Sequence, residues 1–271
     1  MDLSPPSSLT VEMAKGVQST TLLYICHGLG RRRLDELSKQ SESITGEEEN
    51  GTLVERWQKM MEAFLGTQVH VLAGLGYPAS EQGIAMYNQH LAELMQNSPP
   101  DVQENLRIQG RDLWRKVLCL AFNLDMEKDM RNEISIVDAR NIMHKVSQRM
   151  QEPDILEKIA KLAATASLSE GNIDSSTFGA NVENTRKHTI VQQVLVHDVY
   201  LGPTKESSKS LVEDSGFGKG EKGYVQMQCL MAEHQADPLV AQYMGGAMMR
   251  LLQAAGIDLQ AMQEGLNKQN K

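Results

Sequence analysis

Residues 101–124 read DVQENLRIQGRDLWRKVLCLAFNL, and this stretch decides the fold class. Its apolar residues recur at the three- and four-residue spacing of one helical face. They are Val102, Leu106, Leu113, Val117, Leu120 and Leu124. The basic residues on the other side are Arg107, Arg111 and Arg115, spaced four apart, with Lys116 beside them. The stretch therefore predicts an amphipathic helix with one apolar and one basic stripe.

The composition of the whole chain favours the same class. Aromatic residues make up only 4% of the chain whereas methionines number 16, a balance typical of packed helices rather than strands. A hydrophobic fraction of 41% is sufficient for a buried core. With 271 residues the chain has the length of about two domains. We therefore expect an all-α protein.

The cysteines and the apolar segments predict the compartment. Cys26, Cys119 and Cys229 are odd in number and far apart, which argues against a disulfide framework and for a reducing environment. The first residues lack the apolar centre of a signal peptide, and no run of about 18 apolar residues occurs. We therefore expect a protein that neither enters the secretory route nor spans a membrane.

Breaks in the helical pattern predict the elements before residue 170. Helices are expected over about 7–28, 31–40, 52–65, 80–95, 101–124, 135–151 and from 153 onward. Residues 41–51 are acidic and read as a solvated loop, after which Thr52 and Glu55 match a capping box. Residues 69–75 form a short separate apolar segment.

The later part of the chain is divided by two polar, glycine-containing stretches. Residues 171–184 predict a linker between an amino-terminal domain, 1–170, and a carboxy-terminal domain, 185–271. Residues 202–223 predict a flexible loop within the second domain. Between them, 189–201 fits either a strand or a helix, and we favour a helix. A Met-rich helical region from Tyr224 to about Gln263 is interrupted near Pro238.

Several short motifs occur along the chain in a fixed order. They are LVERW at 53–57, PASEQG at 78–83, NSPPD at 97–101, RDLWRK at 111–116 and SQRM at 147–150. This order, followed by an Ala-, Gln- and Met-rich helix at 240–256, resembles the matrix protein of orthomyxoviruses, most nearly a divergent, thogotovirus-type member. PASEQG has one residue more than the corresponding turn of the family.

The resemblance implies an architecture and a function. The architecture is an all-α amino-terminal domain of two small helical bundles, followed by a carboxy-terminal helical domain. The function is that of a viral matrix protein, which self-assembles beneath the envelope and bridges anionic membrane to the ribonucleoprotein or RNA and to other viral proteins. The implied locations are the virion, the host cytoplasm, the inner face of the plasma membrane and the nucleus. Such a protein has neither a catalytic site nor a cofactor.

The candidate anion-binding residues come from two basic segments. They are Arg107, Arg111, Arg115 and Lys116 in the helix at 101–124, together with Arg31, Arg32 and Arg33. Because the formal net charge of the chain is −8, such concentrated positive charge suggests an anionic partner. Two plainer interpretations remain open. The first segment fits a solvated face paired with carboxylates such as Asp112, and the second fits the carboxy-terminal end of a helix.

Other candidate chemistry is weak. Trp57 and Trp114 lie among apolar neighbours, so we interpret them as packing residues rather than platforms for nucleobases. No set of four closely spaced cysteines and histidines matches a structural zinc site. Some members of the family have such a cluster, but the matching region here, 161–172, contains neither residue type. The glycines at 28–30 and 216–220 lack the context of a nucleotide-binding motif.

The acidic balance predicts that any anion contact is weak in one molecule and becomes effective through repetition in an assembly. An alternative function is a cytosolic helical adaptor or secretion regulator that binds a protein partner. Its binding surface would be the Met-rich carboxy-terminal helices, which contain Met227, Met231, Met244, Met248 and Met249.

Overall fold

The computed structural model describes residues 5–42, 49–129, 133–168, 177–204, 207–235 and 237–257. Within these ranges the chain forms eleven α-helices and one π-helical turn, and no strand is present. The all-α prediction is therefore confirmed. Contacts divide the chain into two compact units, unit 1 at Met1–Met130 and unit 2 at Arg131–Lys271.

Unit 1 contains the first five helices. They are α1 (Val11–His27), α2 (Leu29–Glu42), α3 (Glu49–Ala73), α4 (Glu81–Asn97) and α5 (Pro100–Phe122). The helices α1, α2 and α5 pack against one another, and α3 packs against all three and against α4. A core joins α1, the end of α3, α4 and the start of α5, and its buried members are Leu9, Ala14, Val17, Val71, Leu72, Tyr77, Tyr87 and Leu106.

Unit 2 contains the remaining helices. They are α6 (Ile136–Met150), α7 (Pro153–Leu168), α8 (Thr177–Val194), α9 (Leu211–Asp214), α10 (Gly220–Ala232) and α11 (Pro238–Ala254). The helix α11 packs along α6 and also contacts α7 and α8. Ser135 caps α6, since its hydroxyl accepts a hydrogen bond from the Asp138 N–H.

The unit boundary differs from the predicted domain boundary. The units divide at Met130 and Arg131, ahead of the predicted linker at 171–184. Residues 177–184 belong to α8, which packs against α7, whereas 171–176 lie outside the described residues. Because α7 contacts α8 and α11, the segment before the glycine- and serine-rich stretch belongs with the carboxy-terminal helices.

The long helix α3 also differs from its predicted form. It begins at Glu49, so Thr52 lies inside the helix and does not begin it, contrary to the predicted capping box. It then continues to Ala73, so most of the apolar segment 69–75 is its last turn rather than a separate element. Of the predicted acidic loop, residues 41–42 belong to α2 and 49–51 to α3, whereas 43–48 lie outside the described part of the chain.

The turn between α3 and α4 requires a glycine. Ser80 is the residue before α4, and Gly83 packs directly against the preceding proline. A Cβ at Gly83 would lie 1.9 Å from the Pro78 carbonyl oxygen, which no side chain can tolerate. The conformation of the PASEQG motif therefore depends on its last residue.

The region predicted as a flexible loop, 202–223, contains ordered structure among its described residues. Ser210 and Glu213 form a reciprocal capping box at the start of α9. Leu211, Val212 and Phe217 are buried, and α10 begins at Gly220. The sequence did not predict α9, because this helix has only four residues and lies among many glycines and charged residues.

The segment 189–201 is helical, as we favoured. The helix α8 extends to Val194 and is followed by a π-helical turn at Leu195–Tyr200. The Leu201 N–H donates to the Val196 carbonyl oxygen over 3.0 Å, five residues back. Val196, Val199 and Tyr200 are buried on this turn.

Candidate anion-binding surface

The basic residues of unit 1 are concentrated on two helices that pack against each other, α2 and α5. The helix α5 begins with Pro100 in its first turn, where a proline is tolerated. It ends at Asn123, whose positive φ of 51° places the backbone in the left-handed region. The Asn123 N–H donates to the Cys119 carbonyl oxygen and closes the helix. These caps set the length of the predicted basic helix close to its expected bounds.

The three arginines of α5 differ in exposure. The side chain of Arg107 is 66% exposed and that of Arg111 is 27% exposed, while Arg115 is half-buried. Arg107 lies 3.8 Å from a Glu104 carboxylate oxygen, and Arg111 lies 3.7 Å from an Asp112 carboxylate oxygen. Arg107 and Arg111 therefore each lie near a carboxylate of the same helix, Glu104 and Asp112 respectively. Arg107 is the most exposed member of the row.

The partial burial of Arg111 and Arg115 follows from the residues that continue the row. Trp114, Leu118 and Phe122 follow the three arginines at a spacing of seven, which is two turns along the same face. Leu118 and Phe122 are buried, and both aromatic rings contact α3. The basic stripe thus leads into a helix interface rather than along a fully solvated face.

Lys116 does not belong to this row. At 100° per residue it is rotated away from Arg115 by more than a quarter turn. Its side chain is half-buried. Lys116 therefore lies beside the arginine row rather than on it, and its contact with an anion stays a prediction.

The second basic segment lies at the beginning of a helix. The helix α1 ends at His27 and α2 begins at Leu29, so Arg31, Arg32 and Arg33 occupy the first turns of α2. The alternative that they form a carboxy-terminal helix end is therefore wrong. Cations at a helix amino terminus face the positive end of the helix dipole, which is unfavourable without a compensating anion.

The three arginines of α2 differ in their surroundings. Arg31 forms an ion pair of 2.7 Å with Asp35, one turn along the helix. Arg32 and Arg33 are exposed, and Arg33 extends to within 3.6 Å of the position that a Cβ at Gly66 of α3 would occupy. The exposed cations of the two basic helices are therefore Arg32, Arg33 and Lys39 on α2 and Arg107 on α5.

The two tryptophans pack between α3 and α5. The Trp57 and Trp114 rings meet edge to face with their centroids 6.2 Å apart. Trp114 also contacts Phe64 at 5.6 Å, and Trp57 contacts Phe122 at 5.7 Å. Their interpretation as packing residues agrees with these contacts. Stacking of nucleobases on them would require this interface to open.

Sequence reasoning missed a buried arginine in the same interface. Arg56 is only 3% exposed, and its guanidinium carbon lies 4.8 Å from the centre of the Phe122 ring. Its Nη2 donates to the Ala121 carbonyl oxygen over 3.1 Å. The spacing of the sequence indicates this burial, because Arg56 falls between the buried Leu53 and Met60 on the same face of α3.

The described residues offer no metal site of the usual kind, since no group of three or more potential ligand side chains converges there. Cys26, Cys119 and Cys229 are free thiols. Burial raises the pKa of the Cys119 thiol to about 11, so that thiol stays protonated near neutral pH.

Two further findings concern membrane-spanning helices and similarity to known proteins. Over the described part of the chain, each helix is too short or too polar to cross a membrane. Comparison with known proteins found no matching family model, no similar curated protein and no similar solved structure.

Proposed function

We propose that this chain is a non-enzymatic structural protein of the viral matrix type. In this proposal it self-assembles beneath an envelope and bridges anionic membrane to a ribonucleoprotein. The observation that carries the proposal is the pair of packed helices, α2 and α5, which concentrate positive charge in a chain of formal net charge −8.

The position of Arg31, Arg32 and Arg33 gives this surface its affinity for anions. The first turns of a helix present unpaired backbone N–H groups and the positive end of the dipole. Three arginine side chains add to the same positive potential, and two of them are exposed. A phosphate or carboxylate group at this end would relieve the repulsion between them.

The strength of a single contact limits how the surface can be used. Each basic residue near an anionic membrane contributes about 1 kcal/mol, so three exposed arginines give only modest binding. Many copies in one array would bind far more tightly, because each further contact forms at a high effective concentration. Assembly is therefore part of the proposed mechanism rather than an addition to it.

The test is sedimentation with vesicles of phosphatidylserine and phosphatidylcholine across a range of salt concentrations. We expect binding to the mixed vesicles that declines with salt, and no binding to phosphatidylcholine alone. The triple variant Arg32→Gln, Arg33→Gln, Arg107→Gln should lose most of this binding. A matched control removes three exposed cations of unit 2, with Lys145→Gln, Lys161→Gln and Arg250→Gln.

Equal loss in both triple variants would indicate a general charge effect and would remove α2 and α5 from the mechanism. Sedimentation velocity tests assembly separately, and oligomers that grow with concentration are expected. A protein that stays monomeric and ignores anionic vesicles at low salt would overturn the proposal. The same titration with single-stranded RNA distinguishes a ribonucleoprotein contact from a lipid contact.

A second candidate function is a helical adaptor that binds one protein partner. The observation that favours it is on α11, where Leu239 is 40% exposed and Met249 is 47% exposed. Met227 and Met231 are buried instead, as expected of core residues. A strictly monomeric protein that forms one stable complex would favour this function. That complex should weaken in the double variant Leu239→Ser, Met249→Ser.

A further inference from the structure

One face of α1 is exposed from the first turn of the helix to the last. Its members are Glu12, Gly16, Ser19, Leu23 and His27. They recur at spacings of three and four residues, so they follow one line along the helix. The other side of α1 carries the buried residues and packs on α2, α3 and α5. Leu23 is 59% exposed, so this face offers apolar surface to a partner.

The properties of this face are arranged symmetrically about its centre. Glu12 and His27 lie equally far from the midpoint between positions 19 and 20, and they form an acidic and a basic end. Gly16 and Leu23 also lie equally far from that midpoint. The first has no side chain, whereas the second has a large one. When the helix is turned end over end about this midpoint, each feature comes to lie opposite its complement.

A second copy of the chain, docked antiparallel, matches this arrangement. Glu12 of one copy lies level with His27 of the other, and Gly16 of one copy lies level with Leu23 of the other. The two Glu12 side chains are then separated by about 22 Å along the helix axis, which is beyond the range of strong repulsion at physiological salt. We infer that α1 forms an antiparallel, isologous interface with α1 of a second copy.

A parallel arrangement of the two helices does not match. It would place Glu12 against Glu12 and His27 against His27, and such like-charge pairs oppose association. It would also place Leu23 against Leu23, with no gap to receive either side chain. The charges and the side-chain sizes therefore select the same orientation.

The glycine in this face has no other explanation in the packing of unit 1. A Cβ at Gly16 would meet no atom within 4 Å, although glycine inside a helix is less stable than alanine. In the antiparallel pair, Gly16 leaves room for Leu23 of the second copy. Together with Ser19 it lets the two helices approach to the lower end of the usual 8–10 Å between helix axes. The His27 imidazole N–H can donate to the Glu12 carboxylate at each end of the pair.

The size of this interface predicts its strength. The helix α1 has 17 residues and is about 25 Å long, so a contact between two such helices is smaller than a standard protein interface. We therefore expect a dimer that forms only at high protein concentration. The inference rests on the self-assembly in the proposed function and supplies the surface for one of its contacts.

The first test is sedimentation equilibrium of the full chain over a wide range of concentrations. Leu23→Ser should weaken dimerisation about tenfold or more. Leu162→Ser is the matched control, because this leucine of unit 2 is also exposed, at 40%, and lies outside α1. Glu12→Arg and His27→Glu should each weaken the dimer, since each removes the attraction between the two ends. The double variant Glu12→Arg, His27→Glu should restore it, which a loss of helix stability could not explain.

The second test is disulfide cross-linking, which measures the orientation of the helices. Ser19→Cys should link two copies under mild oxidation, because the two positions lie within 1.5 Å of each other along the helix axis. Glu12→Cys should not link them, because its two positions are about 22 Å apart. The unchanged protein is the background control for Cys26, whose two copies would be about 20 Å apart. Equal linking of Ser19→Cys and Glu12→Cys would overturn the antiparallel orientation.

Two results of the sedimentation test would also overturn the inference. One is equal dimerisation of Leu23→Ser and the unchanged protein, and the other is a double charge variant that does not recover. If oligomers still grow with concentration in these variants, the proposed self-assembly stands and uses another surface. Conversely, α1 dimers that neither grow further nor bind anionic vesicles would support this inference and overturn the matrix-type function.

Discussion

Two helix interfaces, one in each unit, use an arginine in opposite ways. Between α3 and α5, Arg56 is almost fully buried against Phe122 and donates to a backbone carbonyl group. Between α6 and α11, the side chain of Arg140 is 39% exposed and binds both carboxylate oxygens of Asp237, at 3.1 and 2.6 Å. Arg56 is therefore part of the core between its helices, whereas Arg140 forms an ion pair at the edge of the α6–α11 interface.

This difference determines what each interface loses when its arginine is removed. A buried partner left without a hydrogen bond carries its full desolvation cost. Asp237 is 12% exposed, but without Arg140 it still accepts hydrogen bonds from the Leu239 and Val240 N–H groups. Unit 1 should therefore respond mainly to changes in packing, and unit 2 mainly to changes in pH. Four predictions test this contrast, beginning with the largest expected effect.

Replacing Trp114 by alanine should lower the free energy of unfolding of unit 1 by about 3–4 kcal/mol. The ring fills the space between Trp57 and Phe64, and its removal leaves a cavity. Denaturant unfolding can be followed by fluorescence of Trp57, because the chain has only these two tryptophans and both lie in unit 1. The exposed Met126→Ala is the control, and a change below about 1 kcal/mol for Trp114→Ala would contradict the packing role.

Replacing Arg56 by alanine should cost about 2 kcal/mol, since the Ala121 carbonyl group loses a donor inside the interface. Lys59→Ala is the matched control on the same helix. Its Nζ forms an exposed ion pair of 2.7 Å with Glu55, worth at most about 0.5 kcal/mol. The same fluorescence assay measures both variants. Similar losses for the two variants would show that burial does not distinguish the arginine from the lysine.

The Arg140–Asp237 ion pair of unit 2 should be sensitive to acid. The hydrogen bond from Arg140 lowers the pKa of Asp237 to about 2 from its usual 3.8. The stabilisation is therefore complete well above the usual pKa of 3.8 and is lost as the pH falls from there through about 2. Hydrogen exchange of peptides from α6 and α11 should show a steeper acid loss in the unchanged protein than in Arg140→Ala. Equal slopes would show that the pair does not couple to folding.

The smallest effect is expected on α11. Gly246 is exposed within this helix, and a Cβ there meets no atom within 4 Å. Gly246→Ala should therefore stabilise unit 2 by about 0.5–1 kcal/mol, because the unfolded chain loses freedom. Gly83→Ala in unit 1 is the opposite case and should destabilise, owing to its clash with Pro78. Exchange rates of the α11 peptides provide the measurement. Faster exchange in Gly246→Ala would show that this position does not have room for a methyl group.

Much of the secondary structure was predictable from local signals. The bounds of α5 and α6 followed from Pro100 and Ser135, whose helix-starting roles depend on their own backbone neighbours. The continuity of α3 through Gly66 did not, because tertiary packing on α1 and α2 compensates for a residue that weakens a helix. The boundary between the two units depends on which helices pack together, which local signals do not show.

The candidate surface was predicted in part. The basic segments were visible in the sequence, but their exposure depends on which side of α5 the helix α3 covers. The sequence does indicate the covered side, because Trp114 and Phe122 lie seven residues after Arg107 and Arg115 and therefore on the same face of α5. Arg56 was overlooked because its charge suggested the surface although its spacing indicated the core.

The π-helical turn after α8 has a consequence for how this chain can change in length. Its hydrogen bond spans five residues, so the turn holds one residue more than an α-helical turn. Deleting one residue there would restore ordinary α-helical winding and leave the flanking segments in register. The same deletion in the middle of α8 would rotate every following side chain by about 100° and carry Val194 away from the core. Length variation of a single residue is therefore best tolerated at this turn.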